Sequence, residues 1–542
     1  MANINTSKGV NKPTLISNED LLQSTELDRE KWRQPNHKKN EMFPSLHWTE
    51  LLFYFIAFYC GAIYSLYILF ITSQRWVQYL PVTYVNDSMF GSHQDETDTE
   101  WYVWSPIIVN FVIPWGILHV LLAQLIRRFT PQYLCLFYIL FSVCLLIPFL
   151  SLVGTILCFI VPLLMYVVLI SRLKLLIYLA WCLLLILYNT QLVANSLEWC
   201  LEEVPNGDYK VSLITGWIML RSLSFSLEVC DADPEAKLTH LPLLTTLLAY
   251  CLYMPLVFYG PFMPFTDFQK GISQPYKEWT IQRTGYFILQ FFRFFWWIGI
   301  THILLFYFYG HSFYFSPYLV KEMTSWSMAG FVYYLNVFLL LKYVVLYGLP
   351  SVLARMEGFD PPLPPKCILL TYRFSDIWRY FDHGIYRFMI KYIYIPWVGS
   401  NKSMLKQVQG SALVFIFVYV WHGVSLQIFV WSFINFIGIL IEKIADYVLH
   451  IPQYKDWEKR WVSDTWRRRI YGLGAVFLYI PSLVAITVFN SNLENGAIVA
   501  ERIFISGYPD STVTTFFFVY CSGQMSMELQ NWRIKTKLKN QS

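Results

Sequence analysis

The chain has 542 residues, 56% of them hydrophobic and only 14% charged, with 41 Lys+Arg against 36 Asp+Glu for a formal charge of +5. Soluble domains are nearer one half apolar and one quarter charged, so this balance excludes an ordinary soluble domain and a disordered chain and places the protein in a membrane. The small positive excess gives no support to nucleic-acid binding, and the ten cysteines show neither a CxxC pair nor a zinc spacing, so no disulfide framework is expected.

Residues 1–46 carry seven Lys/Arg and six Asp/Glu and lack an apolar h-region. They read as a flexible polar tail, helical in part near Leu27–Trp32, and not as a signal peptide. Residues 47–530 form the membrane domain. A span needs about 20 apolar residues, and candidates run Glu50–Thr72, Trp104–Ile126, Tyr133–Leu150, Gly154–Ile170, Leu175–Val193, Leu241–Phe262, Tyr286–Tyr309, Ser327–Tyr347, Ser411–Phe429, Trp431–Ile444, Leu473–Phe489 and Ser511–Gly523. The expected fold is an all-α multi-pass bundle of about eleven or twelve spanning or re-entrant helices. Loop 74–102 holds five acids and one basic residue, Arg75, whereas the next loops carry Arg127, Arg128, Arg172 and Lys174. The positive-inside rule then sets the N-terminus in the cytosol and loop 74–102 on the lumenal or outer side, where Asn86-Asp87-Ser88 is a glycosylation sequon. Residues 351–410 differ from their surroundings, with Pro361, Pro362, Pro364 and Pro365 followed by a basic-aromatic segment. They read as a surface or re-entrant element and, with the helices up to residue 445, as the catalytic core. Residues 531–542 form a basic polar tail.

Within that core, residues 378–393 read as one amphipathic helix. Trp378, Phe381, Asp382, Ile385, Met389 and Tyr392 share a face, and Arg379, His383, Arg387 and Lys391 share the other. The basic row suits lipid head groups or the phosphates of a nucleotide carrier. Asp382 lies on the apolar face, where an ionised group is costly unless partnered. It is either one half of a structural ion pair or a functional carboxylate. His422 lies inside the apolar run Leu413–Val424. It is either a neutral histidine hydrogen-bonded between helices or a general base facing a cavity. His119 and Glu442, each without a second unusual residue near it in sequence, read as structural. GxSxG, HExxH, Walker A and GxGxxG patterns are all missing, so hydrolase, zinc-protease and nucleotide-hydrolysing readings have no support.

Residues 357–441 resemble the membrane-bound O-acyltransferase superfamily, and within it the branch that acylates secreted Hedgehog signalling proteins. The stretches that carry the likeness are Gly358-Phe-Asp-Pro-Pro-Leu-Pro-Pro-Lys-Cys367, Trp378-Arg-Tyr-Phe-Asp-His-Gly384, Tyr392-Ile-Tyr-Ile-Pro396 and Tyr419-Val-Trp-His-Gly423, with looser similarity in Arg221–Glu228 and Tyr259-Gly-Pro261. Trp-His-Gly alone would be a weak signal; its position 40 residues after Asp382 makes it specific. The resemblance implies a helical bundle around a central tunnel, a cytosolic mouth for acyl-CoA and a lumenal mouth for a protein acceptor. It implies His422 and Asp382 as the catalytic pair, and Trp378 and Arg379 at the acyl-CoA site. It implies that Cys367 can ligate the iron of haem b, against which stands a plain or lipid-modified thiol; the chemistry itself needs no cofactor beyond palmitoyl-CoA as donor. The implied reaction moves palmitate to the N-terminal cysteine amine of a Hedgehog precursor in the endoplasmic reticulum or Golgi membrane. Two rivals remain at this point: acyl transfer to a lipid hydroxyl such as that of a lysophospholipid, and a non-catalytic membrane scaffold. A transporter has less support, since no inverted repeat is visible.

Overall fold

The computed structural model describes residues 43–85, 91–232, 240–367, 371–400 and 403–539. Most of the polar tail, including Leu27–Trp32, and the sequon at Asn86 lie outside the described residues.

Helices dominate. In chain order they include α1 (Trp48–Trp76), α2 (Thr99–Phe129), α3 (Pro131–Ile170), α4 (Lys174–Tyr188), α5 (Gln191–Cys200), α6 (Gly207–Ala232), α7 (His240–Cys251), α8 (Phe265–Ile272), α9 (Ile281–Tyr307), α10 (Ser325–Glu357), α11 (Phe374–Phe381), α12 (His383–Met389), α13 (Met404–Trp421), α14 (Leu426–Leu449), α15 (Asp464–Asn490) and α16 (Asp510–Lys539). A two-residue antiparallel pairing, Thr83 with Gln94 and Tyr84 with His93, closes the loop between α1 and α2. Several helices begin at a hydroxyl cap, as the physics of unpaired first-turn N–H groups favours: Thr280, Thr324, Ser403, Ser425 and Ser463 each accept from the backbone N–H three residues on.

Among the described residues nine helices are long and apolar enough to cross a membrane, or ten if α4 and α5, bent by 67°, make one broken span. The protein is a multi-pass membrane protein. Several expected boundaries move. Tyr133–Leu150 and Gly154–Ile170 are the two halves of α3, which breaks at Ser151 (φ +69°). Leu241–Phe262 does not span as a helix: α7 stops at Cys251. Ser511–Gly523 lies in α16, which is not among the nine. The span with no counterpart in the sequence reading is α6. Arg221, Ser222, Ser224, Ser226 and Glu228 make it look polar, yet all five are buried. A helix enclosed by protein on every side does not need an apolar surface, only partners for its polar groups.

Three buried charge clusters tie the helices together, one of them on α6. Glu357, at the end of α10, is reached by Tyr253 Oη at 2.8 Å, by the Tyr138 hydroxyl, by His119 Nε2 at 3.3 Å and by Arg127 at 3.4 Å. Glu228 of α6 receives Lys391 Nζ at 2.6 Å and the Tyr392 hydroxyl. Lys342 of α10 bridges Asp98 and Glu100, each at 2.8 Å. Neighbouring helices then form a closed ring: α1, α10, α2, α3, α6, α4, α13, α14, α15, α16 and back to α1.

Where α10 crosses α1, Gly330 lies against the carbonyl of Ser65; a Cβ there would run into that oxygen and into Leu69. Close approach through a small residue is a common way for membrane helices to pack. Gly330→Val is expected to destabilise the protein by about 1–3 kcal/mol, read as a lower thermal midpoint of the detergent-solubilised protein. Gly474→Val, at a glycine whose Cβ would meet open space, is the comparison.

Candidate functional site

Asp382 stops α11. Its φ of −121° and ψ of 90° are extended, and it is the N-cap of α12. The expected single helix over 378–393 is therefore two, followed by a wider turn at Ile390–Tyr394. The cause is local: an aspartate side chain that bonds the backbone N–H three residues ahead competes with continuation of the helix. Asp382 Oδ1 accepts from Ile385 N–H at 2.8 Å, and Oδ2 accepts from the Tyr347 hydroxyl of α10 at 2.9 Å. The carboxylate makes no ion pair among the described residues, so the structural-bridge alternative does not hold. Burial pushes its carboxyl above the ordinary carboxylate range, against the opposing pull of the Ile385 amide and the Tyr347 hydroxyl.

The apolar face nonetheless survives the break. Trp378, Phe381, Asp382, Ile385 and Met389 all line one large cavity of about 1140 Å³ at the centre of the helix ring. Only Tyr392 turns elsewhere, to Ser224 and Glu228 of α6. The basic row is not open to lipid as a unit. Arg379 pairs with Asp376 at 3.2 Å, Arg387 with Asp267 of α8 at 2.6 Å, and Lys391 with Glu228 at 2.6 Å.

His422 lines the same cavity. It does not sit inside a continuous helix. α13 ends at Trp421, His422 is the capping residue, and its N–H still reaches Val418 O at 3.1 Å. Gly423 follows at φ +103°, a left-handed conformation that glycine takes without strain, and Ser425 caps α14. The turn presents the imidazole edge-on to Trp431 and Phe489, with ring centroids 5.2 Å from each. Those two rings stack on each other at 4.4 Å. Among the described residues neither nitrogen of His422 has a hydrogen-bond partner, so the interhelical-bond alternative does not hold either. His119 differs: its ring packs on Tyr138 and contacts Glu357, away from this cavity.

The cavity wall along α10 extends from Ser325 to Tyr347, about 33 Å at 1.5 Å per residue. That is close to the ~30 Å hydrocarbon thickness of a bilayer. Trp378 connects the parts of the site. Its ring lies 5.6 Å from Trp431 and 5.1 Å from Phe415, and among the described residues its buried indole N–H has no partner. Arg379 does not line the large cavity. It lines a smaller one of about 190 Å³ that shares Trp378 and Met389 with the first. The sequence reading had no means to find Tyr347 or Trp431, since a tyrosine or tryptophan in an apolar run carries no mark of the group it meets across the fold.

Cys367 is half-buried at the end of the proline segment and lies in the lining of neither cavity. A haem needs a slot beside its axial sulfur. The sulfur borders neither of these cavities, so the described residues lend a haem there no support, and no step below runs through one.

Comparison with known proteins adds an independent finding. The family described as MBOAT, membrane-bound O-acyltransferase family, matches residues 162–478. The chain is 30% identical over 453 residues to the protein-cysteine N-palmitoyltransferase Rasp of Drosophila melanogaster, covering 82% of this chain and 87% of that protein. It is 28% identical over 457 residues to the protein-cysteine N-palmitoyltransferase HHAT of Mus musculus, covering 80% and 88%. It is 28% identical over 476 residues to the mouse protein-cysteine N-palmitoyltransferase HHAT-like protein, covering 81% and 86%.

The cap at Asp382 separates folding from chemistry. Asparagine caps a helix about as well as aspartate, whereas alanine costs about 1 kcal/mol. Asp382→Asn is therefore expected to keep the thermal midpoint of the unaltered protein and Asp382→Ala to lower it. A loss of turnover in Asp382→Asn then reports the charge and not the fold.

Proposed function

The chain belongs to the membrane-bound O-acyltransferase family and is an acyltransferase, and on that premise we propose that it moves palmitate from palmitoyl-CoA to the N-terminal cysteine amine of a secreted Hedgehog signalling protein. The observation that carries the proposal is the placement of His422 and Asp382 on one cavity as long as a bilayer is thick, with no hydrogen-bond partner for either imidazole nitrogen among the described residues. Such a cavity answers a topological difficulty, because the acyl donor and the protein acceptor reach the membrane from opposite sides. The names of the fly and mouse relatives support protein cysteine as the acceptor.

His422 acts as the general base. An N-terminal amine has a pKa of about 7.7–8.0, so part of it is already neutral near pH 7. As its nitrogen attacks the thioester carbonyl, a new C–N bond forms and His422 takes the proton released. The C–S bond breaks, and coenzyme A leaves towards the face it came from. The Asp382 carboxylate, fixed at both oxygens by Ile385 and Tyr347, orients the reacting amine and offsets its developing positive charge. Trp378 borders the passage of the acyl thioester, and Arg379 faces the carrier's phosphates, for which a guanidinium is well shaped. Each buried CH₂ of the palmitoyl chain contributes about 0.8 kcal/mol, enough to hold the donor in an apolar cavity.

The loop charges support a cytosolic N-terminus, and with it an endoplasmic reticulum or Golgi membrane whose lumen offers the acceptor. Residues 47–530 then form one acyltransferase unit, with its catalytic core in 351–445.

The test is transfer by purified protein from labelled palmitoyl-CoA to a peptide that starts with cysteine, beside the same peptide with its amine blocked and beside lysophospholipid acceptors. Product is expected on the free amine alone. Labelling of the lipid in preference to the peptide would establish the hydroxyl-transfer rival, and no release of coenzyme A would establish the scaffold. His422→Ala is expected to lower turnover by about 10²–10⁴-fold, the range of general base catalysis. Transfer undiminished in that variant would remove the base assignment.

A further inference from the structure

α9 is not part of the helix ring. It packs along α10 and touches α1 and the short strand His93–Gln94, and its other side is bare. The helix has 27 residues, about 40 Å at 1.5 Å per residue. Arg293 stands near its midpoint, and it is exposed. About 18 Å of helix separates it from the nearer end. A hydrocarbon layer of ~30 Å centred on this span puts Arg293 at mid-depth.

The other arginine near this helix end shows what satisfied partners look like. Arg283, in the first turn, donates to Lys277 O at 2.6 Å and to Met356 O at 2.7 Å, and lies 4.4 Å from the ring of Trp279. The Arg293 guanidinium lies 5.6 Å from the ring of its neighbour Phe294. Among the described residues no carboxylate lies within ion-pair distance of it. A cation near a helix end snorkels to the head groups, but one at the centre cannot, and an ionised side chain at that depth is rare and normally faces a partner. The strip that holds it has the spacing of a helix–helix seam: Tyr286, Leu289, Arg293, Trp296, Ile300 and Ile303 follow at alternating steps of three and four. All but Ile300 are exposed. Beside the strip a Cβ added at Gly285 would meet nothing, so a second helix has room to approach closely.

We infer that this face of α9 is a docking site inside the membrane for a transmembrane helix of a different protein, one that carries an aspartate or glutamate near its middle. The charge selects the occupant. A carboxylate on a facing helix gives the guanidinium a two-pronged partner, and neither charge is then left alone in hydrocarbon. A second copy of this chain does not meet the requirement. α9 contains no Asp or Glu, and neither do α3, α4 and α13. Two copies joined through α9 would set Arg293 against Arg293. A single charged residue in an apolar seam also fixes register, so the partner's acid lies at the depth of Arg293. The site is separate from acyl transfer: no residue of α9 lines either cavity.

The test uses the full chain in phosphatidylcholine liposomes with synthetic leucine helices of about 20 residues, whose central residue is glutamate, glutamine or lysine. Association is read by energy transfer between dyes on the protein and on the helix. The glutamate helix is expected to bind about tenfold more tightly than the glutamine helix, and the lysine helix more weakly than either. Arg293→Leu is expected to erase the preference for glutamate and Arg293→Lys to keep most of it. Gly285→Leu, which retains the charge and fills the approach, is expected to weaken binding of the glutamate helix. Palmitoyl transfer and the thermal midpoint stay unchanged in Arg293→Leu. Equal binding of all three helices would overturn the inference, as would a preference for glutamate that survives Arg293→Leu. A lowered midpoint in Arg293→Leu with association unmoved would make Arg293 structural and overturn it too. Two further results would give the face to another occupant and so overturn it. One is self-association of the protein that Arg293→Leu abolishes. The other is energy transfer to a dye-labelled phosphatidylglycerol that Arg293→Leu abolishes, with no preference for the glutamate helix.

Discussion

Two hydrogen bonds to one carboxylate fix the geometry on which the site depends. Asp382 accepts from the Ile385 amide and from the Tyr347 hydroxyl. The first bond ends one helix and starts the next. The second ties that break to α10, the long helix that forms the cavity wall. If the helix continued through 382, the carboxylate would have no first-turn N–H to accept, and its burial would go uncompensated. The break therefore resolves a conflict between a polar side chain and its surroundings, and it leaves Asp382 facing the space that His422 also faces.

Around that site the interior charges divide into two kinds. Glu357, Glu228 and Lys342 have partners of opposite charge, and the interaction joins helices distant in sequence. Removing one partner from such a cluster leaves a buried charge alone, the costly outcome in low dielectric. His422 and Lys443 have no charged partner among the described residues, and each lines a cavity. Pairing within the protein accounts for the first kind. The second kind is left facing open space, which in the proposed reaction an acyl donor would fill. On the proposed reading the ring encloses the space and the unpaired groups give it chemistry.

Two histidines show where sequence reading reached its limit. His119 and His422 both occur in apolar runs, and nothing local tells them apart. His119 meets Glu357 across more than two hundred residues of chain and packs against Tyr138, whereas among the described residues His422 meets aromatic edges and the open cavity. The resemblance in Trp378–Gly384 and Tyr419–Gly423 singled out His422. Composition and spacing alone left both open. Arg379 shows the converse. It was grouped with Trp378, one residue away; both line the smaller cavity, and only Trp378 also borders the large one.

The sequence alone determined the membrane class, the general course of the spans and the apolar face of 378–389, because these depend on hydropathy and period, which are properties of neighbouring residues. It did not determine α6, whose arginine, serines and glutamate look unsuited to a membrane until the residues that satisfy them are known. It did not determine the break at Asp382, the turn that presents His422, or that Trp378 borders both cavities and Arg379 only the smaller. Those features depend on contacts between residues far apart in the chain, where the cost of an unpartnered polar group in a low-dielectric interior selects one arrangement. Only the folded chain brings the partners together.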